Sequence, residues 1–306
     1  MLTDITEILA AAKAGRYGVV STSPVFPLAI PPIIKACEDK RAPLILSVTE
    51  NQMGYNDIDN VGPEIVHHAK KADIPIAVIL DHGKTDPTIA KAIDMGFNAI
   101  MFDGSDLPLE QNIEQTARVA EWAHAKGLAC EGELGCIGGK EGQTIEHRDE
   151  AAYQYTEPET ALRFWRETKV DNLAVAVGNV HGATTFEPCL DLERIRALRD
   201  ALPITLGMHG SSGIADADIR QAIRSGISKM NFYSCMARNM VLAVRQLLAA
   251  DEKFVNFPLL VNEAQKAAYE TICACCDLYG GTGRATARGP VAHASQCAPG
   301  QPCSRS

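Results

Sequence analysis

The chain reads as an α/β protein folded as a closed (β/α)8, or TIM, barrel, with an N-terminal covering helix and a C-terminal helical extension. Three observations predict this. Short apolar runs alternate with polar or amphipathic stretches along most of the 306 residues. Eight such strand–helix units can be counted, the number that closes a barrel. Pro43, Pro75 and Pro203 precede apolar runs, while Gly96, Gly127 and Gly226 follow helical ones, where a C-cap glycine belongs. An open, doubly wound sheet is the competing arrangement. No GxGxxG follows an early strand, which weakens the dinucleotide-binding form of that competitor.

Taken in order, a helical pattern over 4–14 comes first and would cover the bottom of the barrel. GVVST (18–22) is the first strand, followed by helix 26–38; PLILSV (43–48) is the second, followed by helix 58–72. IAVIL (76–80) and NAIMF (98–102) lead into helices 86–95 and 109–126. LACEG (128–132) is the fifth strand, and its helix begins only at 158. The interval 136–156, GCIGG…YQY, is the longest irregular stretch, and a gap of that length in a compact barrel suits a working loop better than a connector. LAVAV (173–177), ITLGM (204–208) and ISKMN (227–231) complete the strands, with helices 191–200, 215–225 and 235–249 between and after them. A helical segment over 260–278 is added beyond the eighth unit. Residues 1–288 therefore read as one catalytic domain with its extension. Residues 289–306, rich in Ala, Pro, Gly, Ser and Cys, read as a disordered tail.

Composition bounds the function. Hydrophobic content of 46% with 22% charge is that of an ordinary globular chain. A net charge of -9 gives no basic field for nucleic acid or an acidic membrane, though a few local donors can still hold a small anion. No apolar run suggests a signal peptide or a membrane span, so a cytoplasmic location is expected. Ten cysteines are too diluted for a disulfide scaffold. Cys273, Cys275 and Cys276 lack the paired spacing of a zinc knuckle and read as buried or interfacial thiols; Cys297 and Cys303 read as incidental.

In a barrel the C-terminal strand ends converge on one face. Strand three ends in Asp81-His82, strand four in Asp103, and strand five in Glu131-Gly132-Glu133. Strands six and seven run into His181-Gly182 and His209-Gly210-Ser211-Ser212-Gly213, and strand eight ends in Asn231. Three of the eight histidines, His82, His181 and His209, thus lie at equivalent ends of three strands. Three imidazoles with an open position make a zinc site suited to catalysis. Asp103 and Glu133 could orient these ligands, hold the metal in an alternative position, or, for Asp103, merely cap the next helix. The glycines at 182, 210 and 213 leave backbone N–H groups clear. With Ser211, Ser212, Asn231 and Ser234 they could cradle a phosphate near the last strands, or the glycines could merely permit tight turns. Neighbouring strand residues point in different directions, so Asp81 reaches the substrate beside ligand His82 only if the backbone bends. Capping the next turn is its bland alternative. A Lewis-acid metal, a phosphate cradle and a carboxylate suit carbanion chemistry at a ketone.

The motifs LDHG, AIMFDGSDLPLEQNI, CEGELGCIGGKE, VDNLAVAVGNVHG, HGSSG and GISKMN occur in order at barrel spacing. In them the chain, from about residue 3 to 250, resembles the class II, zinc-dependent fructose- and tagatose-bisphosphate aldolases. The resemblance implies His82, His181 and His209 as zinc ligands, with Asp103 and Glu133 near a second or displaced metal position. It implies Asp81 as acid/base at the C4 hydroxyl, Glu141 of the GGKEG loop as the group exchanging the C3 proton, and Asn231 near the reacting hydroxyls. Gly182, Ser212, Gly213, Asn231 and Ser234 would hold the donor phosphate beside a monovalent cation, and Ser47 matches a family serine. A homodimer or homotetramer is implied as well. The chain departs from the family pattern at SPVFP (23–27), at SVTENQMGYND (47–57), after Glu141 and at Cys235. These departures concern the aldehyde half, whose pocket Arg284 or Arg288 could enter; a place for both in a solvated tail is the equal alternative.

The expected function is therefore reversible cleavage of a ketose 1,6-bisphosphate, by default fructose 1,6-bisphosphate, to dihydroxyacetone phosphate and glyceraldehyde 3-phosphate. Tagatose 1,6-bisphosphate, or another ketose 1-phosphate with an unusual aldehyde half, is the nearest alternative. A zinc sugar-phosphate epimerase or hydrolase, and a non-catalytic accessory subunit, stand further off.

Overall fold

The computed structural model describes residues 1–147, 153–250 and 254–285, except the side chains of 140, 141 and 183. The strands predicted from apolar runs are β1 (Val19–Thr22), β2 (Leu44–Thr49), β3 (Ile76–Gly83), β4 (Ala99–Phe102) and β5 (Ala129–Leu134). β6 (Gly139–Ile145), β7 (Asn172–Val175), β8 (His181–Thr184), β9 (Thr205–Met208) and β10 (Ile227–Asn231) follow in chain order. Eight of these close a wholly parallel barrel in the order β1-β10-β9-β7-β5-β4-β3-β2, sealed by β1 against β10 in the register Ser21↔Asn231. All eight expected barrel strands are present.

The surrounding helices are α1 (Ile5–Gly15), α2 (Ile30–Asp39), α3 (Ile58–Lys71), α4 (Asp86–Asp94) and α5 (Leu109–Ala125). They continue with α6 (Pro158–Thr168), α7 (Leu192–Ala201), α8 (Asp216–Ser225), α9 (Ser234–Ala250) and α10 (Phe257–Leu278). Helix α1 starts where Asp4 accepts the Thr6 N–H and stops where Arg16 turns left-handed. Its face Ile5, Ile8, Leu9 and Ala12 packs on the interior residues Ile45, Ala77, Ile79 and Ala99, closing the barrel bottom as expected. Each of the larger side chains buried there contributes roughly 1.5–3 kcal/mol.

Four elements differ from the sequence reading. The stretch 136–156 is not wholly irregular: β6 lies within it and pairs with β8 as a separate two-stranded sheet. GKEGQTI has too little apolar alternation to show this. Strand β3 runs three residues past Leu80 to Gly83. The helix expected over 26–38 divides into a 3-10 turn at Pro27–Ala29 and α2, whose first turn carries Pro31 and Pro32. Helix α10 begins at Phe257, where Asn256 accepts the Leu259 N–H.

The eight described cysteines are free thiols. Cys275 and Cys276 are buried, the latter with its Sγ 3.7 Å from Cys37 Sγ in α2, in agreement with the packing role expected of them. Among the described residues no helix is long and apolar enough to cross a membrane. The expected disordered tail over 289–306, with Arg288, Cys297 and Cys303, lies outside the described residues.

Candidate active site

The site is built where β3, β8 and β9 present their histidines. His82 has a left-handed backbone, φ 48°, and the pairing of β3 with β4 shifts register between Leu80 and Gly83. That bend turns both Asp81 and His82 inward, 1% and 3% exposed, although they are chain neighbours. His181 opens β8, and its N–H donates to Gly138 O at 2.9 Å, tying it to the loop before β6. His209 follows β9, and its carbonyl accepts Asn179 Nδ2 at 2.8 Å. The three ring centroids lie 4.7, 5.2 and 5.8 Å apart. His82 Nε2 faces His209 Nδ1 at 3.0 Å.

A metal ion suits this arrangement. Ligand atoms of His82, His181 and His209 all lie within 4.8 Å of one another, as do those of His82, Asp103 and Glu133. His181 Nδ1 and Glu133 Oε2 are buried without a hydrogen-bond partner. An orphaned buried polar atom costs about 1–3 kcal/mol, which a cation accepting its lone pair would remove. A set of three imidazoles with a free position is the donor chemistry of zinc.

The electrostatics fit the same purpose. Burial pushes the His181 and His209 imidazoles down, His181 the more strongly, so both offer neutral nitrogen lone pairs. Burial acts on His82 too, but Asp81, Asp103 and Glu133 outweigh it and lift its pKa to about 10 without a bound cation. Burial, together with neighbouring Asp103, raises Glu133 well above the carboxylate range. Carboxylates around an imidazole that prefers to be cationic mark a pocket short of positive charge.

Side chains behind the imidazoles fix their aim. Asp103 Oδ2 pairs with His82 Nδ1 at 2.8 Å, and Asp103 Oδ1 accepts Ser105 Oγ–H at 2.6 Å. Behind His209, Nε2 meets Glu131 Oε1 at 3.2 Å, and Lys229 Nζ donates to that same oxygen at 2.8 Å. Glu131 Oε2 accepts Asn172 Nδ2 at 2.8 Å, and Asn172 Oδ1 accepts the Thr205 hydroxyl at 2.6 Å. Lys229 has no exposed surface. Sequence reasoning missed this network. The signal was a lysine two residues before Asn231 in a barrel strand, on the same face as Asn231 by the period of two.

Asp81 and Asn231 meet from 150 residues apart: Asn231 Nδ2 donates to the Asp81 carboxylate at 3.2 and 3.4 Å, and Thr49 Oγ1 donates at 3.1 Å. Burial alone would raise the Asp81 pKa. The positive charges of His82 and Lys229, the neighbouring His209 and the Thr49 hydrogen bond hold it below the usual carboxylate range. The candidate proton acceptor is thus ionised.

The loops after β9 and β10 come together with β8. Gly210 has φ 58°, and a Cβ there would lie 2.4 Å from Val180 O, so only glycine fits. Ser211 donates through its hydroxyl to Asn231 O, and Ser212 Oγ accepts the Cys235 N–H at 3.2 Å. Ser234, first in α9, accepts the Gly142 N–H at 3.1 Å. Gly182, at the start of β8, and Gly213, whose Cβ position lies 2.8 Å from Thr184 Oγ1, belong to the same cluster. Ser47 stands apart on β2, buried beside Thr49 and Ser23. Glu141 lies in β6, and its side chain is outside the described residues.

A cleft of about 410 Å³, lined from the segments after β2 to β5, by β6 and by His181 of β8, opens above His82, Asp103 and Glu133. Arg284 does not enter it. Its guanidinium lies 5.4 Å from the Tyr17 ring, which precedes β1 at the other end of the barrel, because the chain after α10 returns to the barrel bottom.

The family profile described as fructose-bisphosphate aldolase class-II matches residues 3–284. The chain belongs to this family. The crystal structure of the YdjI aldolase from Escherichia coli K12 superposes with a TM-score of 0.82 at 32% identity, over 94% of this chain and all of that one. The fructose-bisphosphate aldolase of Geobacillus stearothermophilus is 31% identical across 93% of this chain and 99% of its own. The sulfofructosephosphate aldolase of Alkalicoccus urumqiensis is 39% identical across 72% and 76%. The protein is a class II aldolase, hence a lyase, of a family that acts on sugar phosphates.

Proposed function

We propose that this aldolase is zinc-dependent and cleaves a ketose 1-phosphate or 1,6-bisphosphate to dihydroxyacetone phosphate and an aldehyde, with the reverse condensation on the same groups. The observation that carries the reading is the buried, ionised Asp81, held by Asn231 and Thr49 beside three converging imidazoles. His82, His181 and His209 would hold the zinc, with Asp103 and Glu133 aiming His82 or offering a displaced position. The bound ion would supply Lewis-acid polarisation of a ketone oxygen.

The chain's own residues carry the proton movements and the binding. Asp81 takes the proton of the C4 hydroxyl as the C3–C4 bond breaks, and that carbon leaves as the aldehyde. Asn231 keeps the carboxylate and the reacting hydroxyls in one place. Glu141 returns a proton to C3 of the donor fragment, a role that rests on its place in GGKEG. Gly182, Gly210, Ser211, Ser212, Gly213 and Ser234 surround the donor phosphate through backbone N–H groups and hydroxyls at the α9 N-terminus, with a monovalent cation beside it. Ser47 belongs to the opposite, β2 side of the site. Fructose 1,6-bisphosphate is the family default, but the relatives' names span different sugars and leave the aldehyde open. A homodimer or homotetramer is supported by exposed Val241, Leu242 and Phe257 on α9 and α10.

The test incubates zinc-loaded protein with a panel of ketose phosphates and measures triose phosphate and the partner aldehyde. EDTA and His82→Ala are expected to abolish cleavage together with bound zinc. Asp81→Ala is expected to keep zinc and lose C–C cleavage. Undiminished turnover without metal would refute the mechanism.

A further inference from the structure

We infer that the acceptor half of the substrate is an uncharged, hydroxylated aldehyde, so that the enzyme prefers ketose 1-phosphates to 1,6-bisphosphates; this rests on the aldolase reading above. The donor loops after β9 and β10 contribute none of the described residues lining the 410 Å³ cleft, which is built from the segments after β2 to β5, from β6 and from His181. The second fragment of a cleaved ketose therefore has the cleft to itself.

Its charge decides what that fragment can carry. Among the described residues lining the cleft, Lys84 is the sole lysine or arginine. Its Nζ is already paired with Asp106 at 2.6 Å and lies 3.9 Å from Asp103. Asp103 and Asp106 thus both already claim that ammonium, and the carboxyl group of Glu133 adds no positive charge to the cleft. A terminal phosphate would have to draw Lys84 from Asp106 and would then face the released carboxylate, a like-charge contact that selects against it. The remaining surface is neutral and rich in hydrogen-bonding groups: Asn51, Gln52 and Tyr55 beyond β2, Ser105 after β4, and Gln143 in β6. Amides and hydroxyls both donate and accept, as sugar hydroxyls do. A site of that kind discriminates by hydroxyl pattern rather than by charge.

The experiment compares ketoses that differ only in the 6-phosphate, fructose 1-phosphate with fructose 1,6-bisphosphate and the corresponding tagatose pair, on the zinc-loaded full chain. The expected result is a kcat/KM about tenfold or more in favour of a 1-phosphate. Asp106 is a rim residue with 70% of its side chain exposed, and Asp106→Asn releases Lys84 without disturbing the barrel. That variant is expected to narrow the preference by about threefold or more by improving bisphosphate cleavage. Equal or better cleavage of both bisphosphates by the unaltered enzyme would overturn the inference. An unaltered preference in Asp106→Asn would overturn the role given to the ion pair. Triose phosphate from none of the four substrates would instead overturn the aldolase reading on which the inference stands.

Discussion

Lys229 offers the sharpest test of how the site is held. Its ammonium is fully buried, 2.8 Å from Glu131 Oε1 and 3.9 Å from Asp81 Oδ1. Lys229→Met keeps the apolar stem and removes the charge, which leaves two buried carboxylates without their shared cation. Breaking a buried pair from one side costs about 3–5 kcal/mol. Glu131 keeps its contacts to Asn172 and His209, so the lower part of that range, about 3 kcal/mol, is expected. Against a total stability of about 5–15 kcal/mol this is a large loss. Glu131→Gln on the Lys229→Met background removes the stranded charge, and about 2 kcal/mol should return. Urea unfolding of the metal-free protein measures these differences without the added stability of zinc binding. A loss below about 1 kcal/mol in Lys229→Met would refute the reasoning, because an ordinary surface change costs that little. A double variant as unstable as the sum of the two singles would refute it equally, since uncoupled residues simply add.

Four further outcomes follow from the same geometry. Gly178→Ala should cost more than about 3 kcal/mol in urea unfolding, because its φ is 107° and a Cβ would lie 2.0 Å from Cys189 O. Gly127→Ala, with a φ of 74° and open space, should cost only about 1 kcal/mol in the same assay. A thiol reagent should label exposed Cys189 in the native protein, whereas buried Cys37, whose thiol the Cys276 contact and burial push up, and buried Cys130, pushed up by burial, should react only after denaturation; peptide mapping distinguishes them. Asn231→Ala should retain zinc but slow cleavage by about 10²–10³-fold, since Asp81 loses its aligning amide; a rate within a few-fold of wild type would remove Asn231 from the mechanism.

The fold was legible because a barrel repeats one simple rule: each parallel strand is apolar and ends at the same rim. That rule placed His82, His181 and His209 together although they come from β3, β8 and the end of β9. It could not place β6, whose residues have no apolar period, or Lys229, which looks from its neighbours like an ordinary polar strand residue. Its partner Glu131 is 98 residues away, and only closure of the sheet brings the two together. Asp81 and His82 show the limit most clearly. Alternation along a flat strand would send one inward and the other outward. The left-handed residue at 82 and the register shift after Leu80 cancel that alternation, so the candidate ligand and the candidate proton acceptor occupy consecutive positions on one face. A non-glycine residue in that region carries strain of about 1–3 kcal/mol, and it persists only where surrounding contacts hold it. Here the holding contacts are Asp103 on His82 and Asn231 with Thr49 on Asp81. The residues that aim the chemistry are therefore also those that keep the bend. Asp103→Ala should lower both zinc affinity and unfolding stability, each several-fold more than Ser234→Ala does. The latter change is remote from the bend and should lower activity while costing only about 1 kcal/mol for the lost Gly142 hydrogen bond. If Asp103→Ala left stability at the wild-type level while zinc affinity fell, the bend would owe nothing to the His82–Asp103 contact.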